Sequence, residues 1–263
     1  AATPPKNDKC KTINKFVQNK IIRRRAERKI KQNRDLNRKN FPELNKIKPK
    51  IINLNLHRSQ IPRDEIIVEA YKDKVNLLAL QEPPLRDGKI VGFNEFAVIH
   101  REKARAILAA PRSTSLSECS ALCTPDFAVG VWDLAQTRIV VCSFYLDGSK
   151  AMAGHVLNLR AVVNYANKNN LPFLLTGDSN CHSPLWGSGS SDPRGEELEA
   201  FVLEIGANVE NIGEQPTWRN YRSESSIDVT ISSADLHDSI LNWRSDFSLS
   251  LIHISEPTRR CYI

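Results

Sequence analysis

The chain has 263 residues, and its hydrophobic fraction of 41% is enough to bury one large domain or two small ones. It has no apolar run of about eighteen residues, which excludes a transmembrane helix, and we expect no membrane partner. Its first residues also lack the apolar stretch of a secretory signal peptide.

The charge is divided unevenly along the chain. Residues 1–50 hold 17 of the 37 Lys and Arg but only 4 of the 30 Asp and Glu, a net charge of +13. Residues 51–263 therefore hold 20 basic and 26 acidic residues, a net charge of −6. The segment 1–50 contains the run Arg23, Arg24, Arg25 and few large apolar residues, so we expect it to be disordered or a solvated helix. A solubilising linker and a DNA-binding arm explain this composition equally well.

The cysteines and the start of the chain indicate the context of the protein. No cysteine spacing completes a zinc site, which favours reduced thiols in an intracellular protein. The six cysteines are Cys10, Cys119, Cys123, Cys142, Cys181 and Cys261. The chain does not begin with Met, so we expect it to be a fragment of a longer protein. If the protein is directed to DNA, we expect it to be located in the nucleus.

The predicted elements begin at the end of the basic segment. Alternating residues at 51–56 predict a strand, and a helix opening at Pro62 is expected to have acidic residues in its first turn. The largely apolar run 75–80 predicts a buried strand, and 91–100 and 106–110 read as further strands.

The second half of the chain mixes a hairpin with strand–helix units. Residues 127–134 and 137–146 predict a hairpin, 172–176 a strand, and 227–231 and 240–243 two short strands. Helical spacing predicts helices over 151–168 and 196–205. We therefore predict one α/β domain of about 200 residues, in which two packed β-sheets are flanked by helices.

Polar residues stand in or directly after several of these strands. Each has an ordinary explanation by itself: Glu82 as a surface residue past its strand, Asp178 and Asn180 as an Asx-turn, and Asp228 as a paired strand residue. Asn55 also has an ordinary explanation, because asparagine is disfavoured within strands but tolerated there. Their occurrence together in one chain indicates an active site.

These side chains suit one chemistry. Mg²⁺ binds few protein carboxylates, keeps several waters and contacts phosphate oxygens, so Glu82 is the natural ligand and Asn55 would steady it. Asp178 would orient or deprotonate the attacking water, and Asn180 would donate a hydrogen bond to the phosphate. The combination predicts metal-assisted hydrolysis of a phosphodiester.

Six short motifs also occur in a characteristic order. They are Asn55-Leu56-x-x-Ser59, Leu80-Gln81-Glu82-Pro83, Phe144-Tyr145-Leu146-Asp147-Gly148, Thr176-Gly177-Asp178-x-Asn180-x-His182-x-x-x-Trp186-Gly187, Pro216-Thr217-Trp218 and Ser225-x-Ile227-Asp228-x-Thr230. Over about residues 51–250, this order resembles the endonuclease/exonuclease/phosphatase superfamily. It is most similar to the apurinic-type endonuclease domain of non-LTR retrotransposons, which precedes a reverse transcriptase.

The resemblance implies a four-layered α/β sandwich that nicks double-stranded DNA with Mg²⁺, or Mn²⁺ in its place, to prime reverse transcription. It also implies a downstream reverse transcriptase domain as partner. It places the metal at Glu82 with Asn55 in its shell, and gives Tyr145 a hydrogen bond to the phosphate. Asp178 and Asn180 keep the roles given above, and Asp228 would orient a final catalytic histidine.

The loop of His182 and Trp186 belongs to the mobile-element form of the family, and both residues are expected to contact DNA.

The C-terminal end departs from the family pattern. The family closes with Ser-Asp-His and an apolar strand, whereas here Ser248-Leu249-Ser250 leads directly into Leu251. We therefore treat 251–263 as an aberrant segment and expect the loss of Asp-His, and of a core strand, to impair catalysis.

Two other functions are compatible with the sequence. The first is a phosphoesterase of the same superfamily acting on lipids or small molecules, although the Pro216-Thr217-Trp218 motif and the basic arm favour DNA. The second is a non-catalytic DNA-binding remnant of a mobile element, which would bind DNA through residues 1–50 without turnover.

Overall fold

The computed structural model describes residues 49–134, 137–211, 216–219, 223–240, 242–246 and 260–262. The expectations for the basic segment, including Arg23, Arg24 and Arg25, lie outside the described residues. Within the described ranges, no helix is both long and apolar enough to cross a membrane.

Four helices and sixteen strands are assigned within the described residues. The helices are α1 Gln60–Lys72, α2 Met152–Lys168, α3 Pro193–Ile205 and α4 Ala234–His237. The strands of the first half are β1 Ile51–Asn55, β2 Leu77–Gln81, β3 Leu85–Arg86, β4 Lys89–Ile90, β5 Phe96–Ile99, β6 Ala106–Pro111, β7 Leu116–Glu118 and β8 Phe127–Leu134. Those of the second half are β9 Thr137–Tyr145, β10 Phe173–Asp178, β11 Asn208–Val209, β12 Trp218–Arg219, β13 Glu224–Ser225, β14 Asp228–Ser232, β15 Arg244–Asp246 and β16 Arg260–Tyr262.

Two six-stranded sheets form the centre of the domain. The first has the order β15-β16-β1-β2-β6-β5, and the second has the order β11-β14-β10-β9-β8-β7. β1 and β2 are parallel, as are β9 and β10, while β10 and β14 are antiparallel. This arrangement brings the carboxyl ends of both parallel pairs to the edges of their sheets, where chain crossings leave room for a site.

Alternating residues of the first sheet face two different cores. Leu77 and Ala79 of β2 pack towards the second sheet, whereas Leu78 and Leu80 pack with α1, whose buried residues include Ile66. The opposite face of the second sheet is covered by α2 and α3. The layers are therefore helix, sheet, sheet and helix, and the predicted four-layered α/β sandwich is confirmed.

Several predicted boundaries were wrong by a few residues. α1 begins at Gln60 rather than Pro62, so it has no acidic residue in its first turn. The strand predicted over 91–100 is only Phe96–Ile99. No strand forms over the described part of 240–243. Instead β15 starts at Arg244, directly after Trp243, which is buried and donates its indole N–H to Thr230 Oγ1 at 3.2 Å.

The C-terminal segment contributes a strand to the first sheet. β16 pairs antiparallel with β1, with Asn53 opposite Cys261, and also with β15, with Ser245 opposite Cys261. β1 therefore lies inside the sheet rather than at its edge. The expected loss of a core strand is thus wrong for the described residues 260–262, and the assignment of 251–263 as aberrant stays a prediction.

Candidate active site

The polar residues predicted from the sequence meet where the two sheets adjoin. In the first sheet, Asn55 is the last residue of β1 and Glu82 directly follows β2. In the second sheet, Tyr145 ends β9 opposite Asp178, the last residue of β10. Asp228 begins β14 and lies opposite Asp178 on its other side. Asp178 is therefore a strand residue, not the loop residue that the sequence predicted.

Asn55 joins the two sheets through its side-chain amide. Its Nδ2 donates to Asp178 Oδ2 at 2.9 Å and lies 3.3 Å from Glu82 Oε2. Its Oδ1 accepts the backbone N–H of His57 at 2.8 Å, which fixes the orientation of the amide. With its nitrogen turned to both carboxylates and its oxygen already hydrogen-bonded, Asn55 orients Glu82. The structure does not present it as a direct metal ligand.

A second amide network lies beneath the first. Asn53 Nδ2 approaches Asp228 Oδ1 at 3.3 Å, and Asn53 Oδ1 accepts from Gln81 Nε2 at 3.0 Å. The same Gln81 nitrogen contacts Ser143 Oγ at 3.0 Å. All four side chains are buried, and such buried networks fix the relative position of the elements that they connect. The sheets are thus held in register directly below the carboxylates.

These side chains line one open cleft of about 370 Å³. All six predicted catalytic and metal residues contribute to its wall, together with His182 and several further side chains. The full lining is Asn55, His57, Glu82, Tyr145, Asp178, Asn180, His182, Thr217, Trp218, Ser225, Ile227 and Asp228. The cleft is therefore the candidate site.

The cleft concentrates buried negative charge. Asp178 and Asp228 are only 3% and 7% exposed and face each other across an antiparallel pair, where like charges repel. Burial, together with the charge of Glu82, raises the pKa of Asp178 to about 6, against hydrogen bonds from Asn55 and the Asn180 N–H. Burial and the charge of Asp178 raise the pKa of Asp228 well above its ordinary value. A carboxylate with a pKa near 6 is suited to accept a proton near neutral pH.

Tyr145 belongs to the same electrostatic unit. Burial raises the pKa of its hydroxyl, and the charges of Glu82 and Asp178 add to this effect. The hydroxyl therefore stays protonated near neutral pH and can donate a hydrogen bond to a phosphate oxygen.

The raised pKa of Asp178 predicts how stability depends on pH. Between about pH 4 and 6 the folded protein binds more protons here than the unfolded chain, so the free energy of unfolding should fall as pH rises. The loss is up to about 3 kcal/mol, because each pKa unit is worth roughly 1.4 kcal/mol. Denaturant unfolding in EDTA should show this slope in the wild type.

Asp178→Asn should remove the part of that slope that Asp178 contributes and leave the part that the raised pKa of Asp228 contributes, whereas Asp87→Asn, at an exposed turn, should retain the whole slope. An equal slope in all three proteins would contradict the assignment.

Two residues of the site have unusual backbone conformations. Glu82 and Asn180 have φ values of 44° and 46°, which are costly for residues other than glycine. The N–H of Glu82 donates to Arg105 O and its carbonyl accepts from Arg58 N, both at 2.8 Å, so the conformation is fixed from both sides. Asn180 Nδ2 is buried and makes no hydrogen bond of normal geometry to the described residues. A donor held in this way suits an incoming oxygen.

The His182 loop is fixed by the start of α3. Asp192 caps that helix by accepting from Gly195 N at 2.7 Å, and its other oxygen contacts His182 Nδ1 at 2.9 Å and His182 N at 3.0 Å. Although burial acts in the opposite sense, these hydrogen bonds lower the pKa of Asp192. A Cβ at Gly195 would lie 1.8 Å from His182 O, so only glycine permits this approach. His182 thus reaches the cleft, and its contact with DNA stays a prediction.

Trp186 does not occupy the position expected of a DNA-contacting residue. It is 1% exposed and donates its indole N–H to Cys181 O at 3.3 Å. The prediction of a direct contact with DNA therefore does not fit its burial. Its large apolar side chain instead belongs to the main hydrophobic core.

The donor set of the cleft fits a hard divalent cation. No group of three or more His, Cys, Asp or Glu gathers as a metal cage in the described ranges. Mg²⁺ needs no such cage, because it is usually held by one or two carboxylates and keeps its waters. The Glu82 side chain is 16% exposed, and two basic side chains lie near it: Arg58, which is 3.3 Å away and 71% exposed, and His57, whose Nδ1 is 4.0 Å away. The Glu82 carboxylate is thus accessible to a cation. The carboxylates of Asp178 and Asp228 in the same cleft would favour the positive charge of that cation.

Sequence reasoning missed the supporting residues of the site. Gln81 and Asn53 lie within buried strands. A polar residue at such a position in the sequence is a signal for a buried polar contact. His57 and Thr217 also line the cleft, and Thr217 Oγ1 accepts the backbone N–H of Asp228 at 2.9 Å. Thr217 belongs to the Pro216-Thr217-Trp218 motif, and its hydroxyl fixes the start of β14.

The fold of the chain is shared with several solved structures. The structure matches the endonuclease domain of TRAS1, a telomere-specific non-LTR retrotransposon, with a TM-score of 0.72 and 23% identity over 82% of this chain and 97% of that one. It also matches an AP endonuclease from Archaeoglobus fulgidus, with a TM-score of 0.59 and 14% identity over 82% and 98% of the two chains. A 3′ phosphatase from Neisseria bound to a product DNA hairpin matches with a TM-score of 0.58 and 15% identity over 82% and 99%. The chain thus has the fold of the endonuclease/exonuclease/phosphatase superfamily of nucleases and phosphatases.

A family model places the chain more closely. Residues 139–251 match the family described as endonuclease-reverse transcriptase, a range that includes Tyr145, Asp178, Asn180 and Asp228. No protein with a curated function matches the chain in sequence. The recognition made from the sequence motifs is thus confirmed as a match to the endonuclease-reverse transcriptase family over residues 139–251 and as a fold shared with the TRAS1 endonuclease domain.

Proposed function

We propose that the chain is the endonuclease domain of a non-LTR retrotransposon, which nicks double-stranded DNA with Mg²⁺ to prime reverse transcription. The observation that carries the proposal is the Asn55 amide, which holds the carboxylates of Glu82 and Asp178 in one cleft beside Tyr145 and Asn180. This cleft provides a metal-binding carboxylate, a base with a raised pKa and two donors to a phosphate.

The side chains have separate roles in the proposed reaction. Asp178 accepts the proton of the attacking water, because its pKa of about 6 leaves it mostly ionised near pH 7. The Tyr145 hydroxyl and the Asn180 amide donate hydrogen bonds to the phosphate as negative charge develops there. Glu82, oriented by Asn55, would hold the cation. When bound, Mg²⁺ (or Mn²⁺) supplies Lewis-acid polarisation of the phosphate.

DNA is proposed as the substrate over a lipid or a small phosphate ester. The AP endonuclease and the Neisseria phosphatase that share the fold act on or bind DNA according to their descriptions. In this chain the half-buried Trp218 lines the cleft, where an aromatic ring can contact a sugar or base. The family description also supports a reverse transcriptase domain in the longer protein, and a nuclear location follows from a chromosomal DNA target.

The metal is tested by Glu82→Gln, which keeps the shape of the side chain and removes its charge. The Mg²⁺ concentration for half-maximal nicking of supercoiled plasmid should rise by at least about tenfold, since even the outer partners of metal ligands affect affinity by 10- to 100-fold. Glu95→Gln, at an exposed loop position, is the matched control and should behave like the wild type.

A phosphoinositide substrate should be left intact by all three proteins. Hydrolysis of the lipid without nicking of the plasmid, or an unchanged Mg²⁺ dependence in Glu82→Gln, would contradict the proposal.

A further inference from the structure

Arg105 lies directly before β6 and is fixed through its backbone. Its N–H donates to Pro125 O at 2.6 Å, and its carbonyl accepts the N–H of Glu82 at 2.8 Å. The second bond ties Arg105 to a residue in a left-handed conformation at the end of β2. Any shift of the Arg105 backbone is therefore passed to Glu82.

The side chain of Arg105 reaches the second sheet. Its guanidinium forms ion pairs with Asp147 and with Asp126, where Nη2 lies 2.5 Å from Oδ1. Its Cζ also stands 5.5 Å from the centre of the Tyr145 ring, within the range of a cation–π contact. Both the Arg105 and the Asp126 side chains are largely buried, at 24% and 8% exposed. A planar guanidinium can pair with two carboxylates through its rigid fork while it stacks on a ring, and an ammonium does not reproduce this geometry.

The turn that follows Tyr145 is held by several contacts around this guanidinium. Arg194 Nη2 donates to Leu146 O at 3.1 Å and to Asp147 O at 3.2 Å. Lys150 Nζ lies 2.8 Å from Asp126 Oδ2. On the other side, a Cβ at Gly148 would lie 4.0 Å from the Cβ of Asn180. The turn therefore connects the Arg105 ion pairs with the Asn180 wall of the cleft.

A purely structural ion-pair cluster is the simpler explanation, since buried arginines often serve that purpose. The geometry goes further, because one residue contacts the backbone of Glu82 in the first sheet and the ring of Tyr145 in the second. Glu82 and Tyr145 stand in the same cleft but are linked by no hydrogen bond of their own in the described structure. Arg105 thus connects the proposed metal side of the cleft with the proposed phosphate side.

We infer that Arg105 is a positioning residue, which fixes the Tyr145 hydroxyl relative to Glu82 for the attack on the phosphate. The inference rests on the proposed function for its kinetic consequences. Its structural consequence, the placement of the Tyr145 ring, holds whether or not the chain nicks DNA.

The kinetic test compares Arg105→Met with Arg105→Lys. Arg105→Met should lower kcat for nicking by about 10- to 100-fold with little change in KM, because misplacing a reacting group by about 1 Å has an effect of that size. Arg105→Lys keeps the charge without the planar fork and should recover part of the rate. In the Tyr145→Phe background, which lacks the hydroxyl, Arg105→Met should have a much smaller effect, since coupled residues are not additive.

The spectroscopic test does not need activity. In protein labelled with fluorotyrosine, the ¹⁹F resonance of Tyr145 is identified among the five tyrosines by its loss in Tyr145→Phe. Arg105→Met should shift this resonance and leave those of the distant tyrosines in place.

Arg101→Met is the matched control for both tests. Arg101 precedes the same strand and pairs with Glu118, 2.5 Å away, but does not line the cleft. It should change neither kcat nor the Tyr145 resonance.

The outcomes separate the two proposals. Failure of the variant with Asp-His inserted after Ser250 to nick DNA contradicts the proposed function, and the ¹⁹F resonance then decides the role of Arg105. An unmoved resonance overturns the inference, as does a loss of rate that is equal in the wild-type and Tyr145→Phe backgrounds. A kcat loss in Arg101→Met as large as that in Arg105→Met would also overturn it.

Discussion

Asp178→Asn should lower the single-turnover rate of plasmid nicking by about 10²- to 10⁴-fold, the usual effect of removing a general base. Asparagine keeps the size of the side chain, and its oxygen can still accept from Asn55 or from the Asn180 N–H. What it loses is the carboxylate with a pKa of about 6 that accepts the proton of water. DNA binding should be retained or slightly tightened, because one negative charge leaves the cleft.

The control for this substitution is again Asp87→Asn, which removes a carboxylate at an exposed turn that is not part of the cleft lining. Fluorescence anisotropy with labelled duplex in Ca²⁺ would measure binding separately from turnover. A nicking rate in Asp178→Asn within tenfold of the wild type would exclude Asp178 as the base.

Inserting Asp-His after Ser250 should raise the nicking rate by a similar factor, about 10²- to 10⁴-fold. The reason lies at Asp228, which the resemblance assigns to orienting a final catalytic histidine. In the described part of the chain, the Asp228 carboxylate contacts the amide of Asn53 and no cation, and burial keeps its pKa well above the ordinary value. An imidazolium beside it would offset this charge and provide the missing contact to the phosphate.

The matched control inserts Ala-Ala at the same position, which changes the length of the segment equally without adding an acid or base. The comparison is made by time courses of supercoiled plasmid at fixed Mg²⁺. Equal rates for the original chain and the Asp-His variant would show that the chain is not impaired by the missing pair. A gain that Ala-Ala reproduces would assign the effect to segment length.

The sequence predicted the fold because its strand and helix patterns are local. Alternation in 51–56 and the apolar run 75–80 correspond to β1 and β2, and the hairpin of β8 and β9 was placed correctly. Boundaries differed where tertiary contacts are made, as at Trp243, whose indole N–H donates to Thr230 and which directly precedes the strand that starts at Arg244. β16 could not be foreseen, because its pairing with β1 joins segments some two hundred residues apart.

The site was predictable only as a set of side chains. Glu82, Asp178 and Asp228 stand out in sequence as polar residues at strand ends, but nothing local places Asp178 opposite Asp228. The bridging amide of Asn55 and the buried Gln81–Asn53 contact depend on how the two sheets pack. The same holds for Arg105, which has no motif and becomes visible only through its contacts to both sheets. Burial likewise separates Trp186 from the DNA contact expected of it.

The measurement that tests the central claim most directly is single-turnover nicking of supercoiled plasmid by the Asp-His variant, with and without Asp178→Asn, in Mg²⁺ and in EDTA. We expect nicking in Mg²⁺, none in EDTA, and a loss of at least about 10²-fold on adding Asp178→Asn. Nicking that persists in EDTA or survives Asp178→Asn, or no nicking by the Asp-His variant at all, would contradict a metal-dependent DNA-nicking cleft built on Glu82, Asn55 and Asp178.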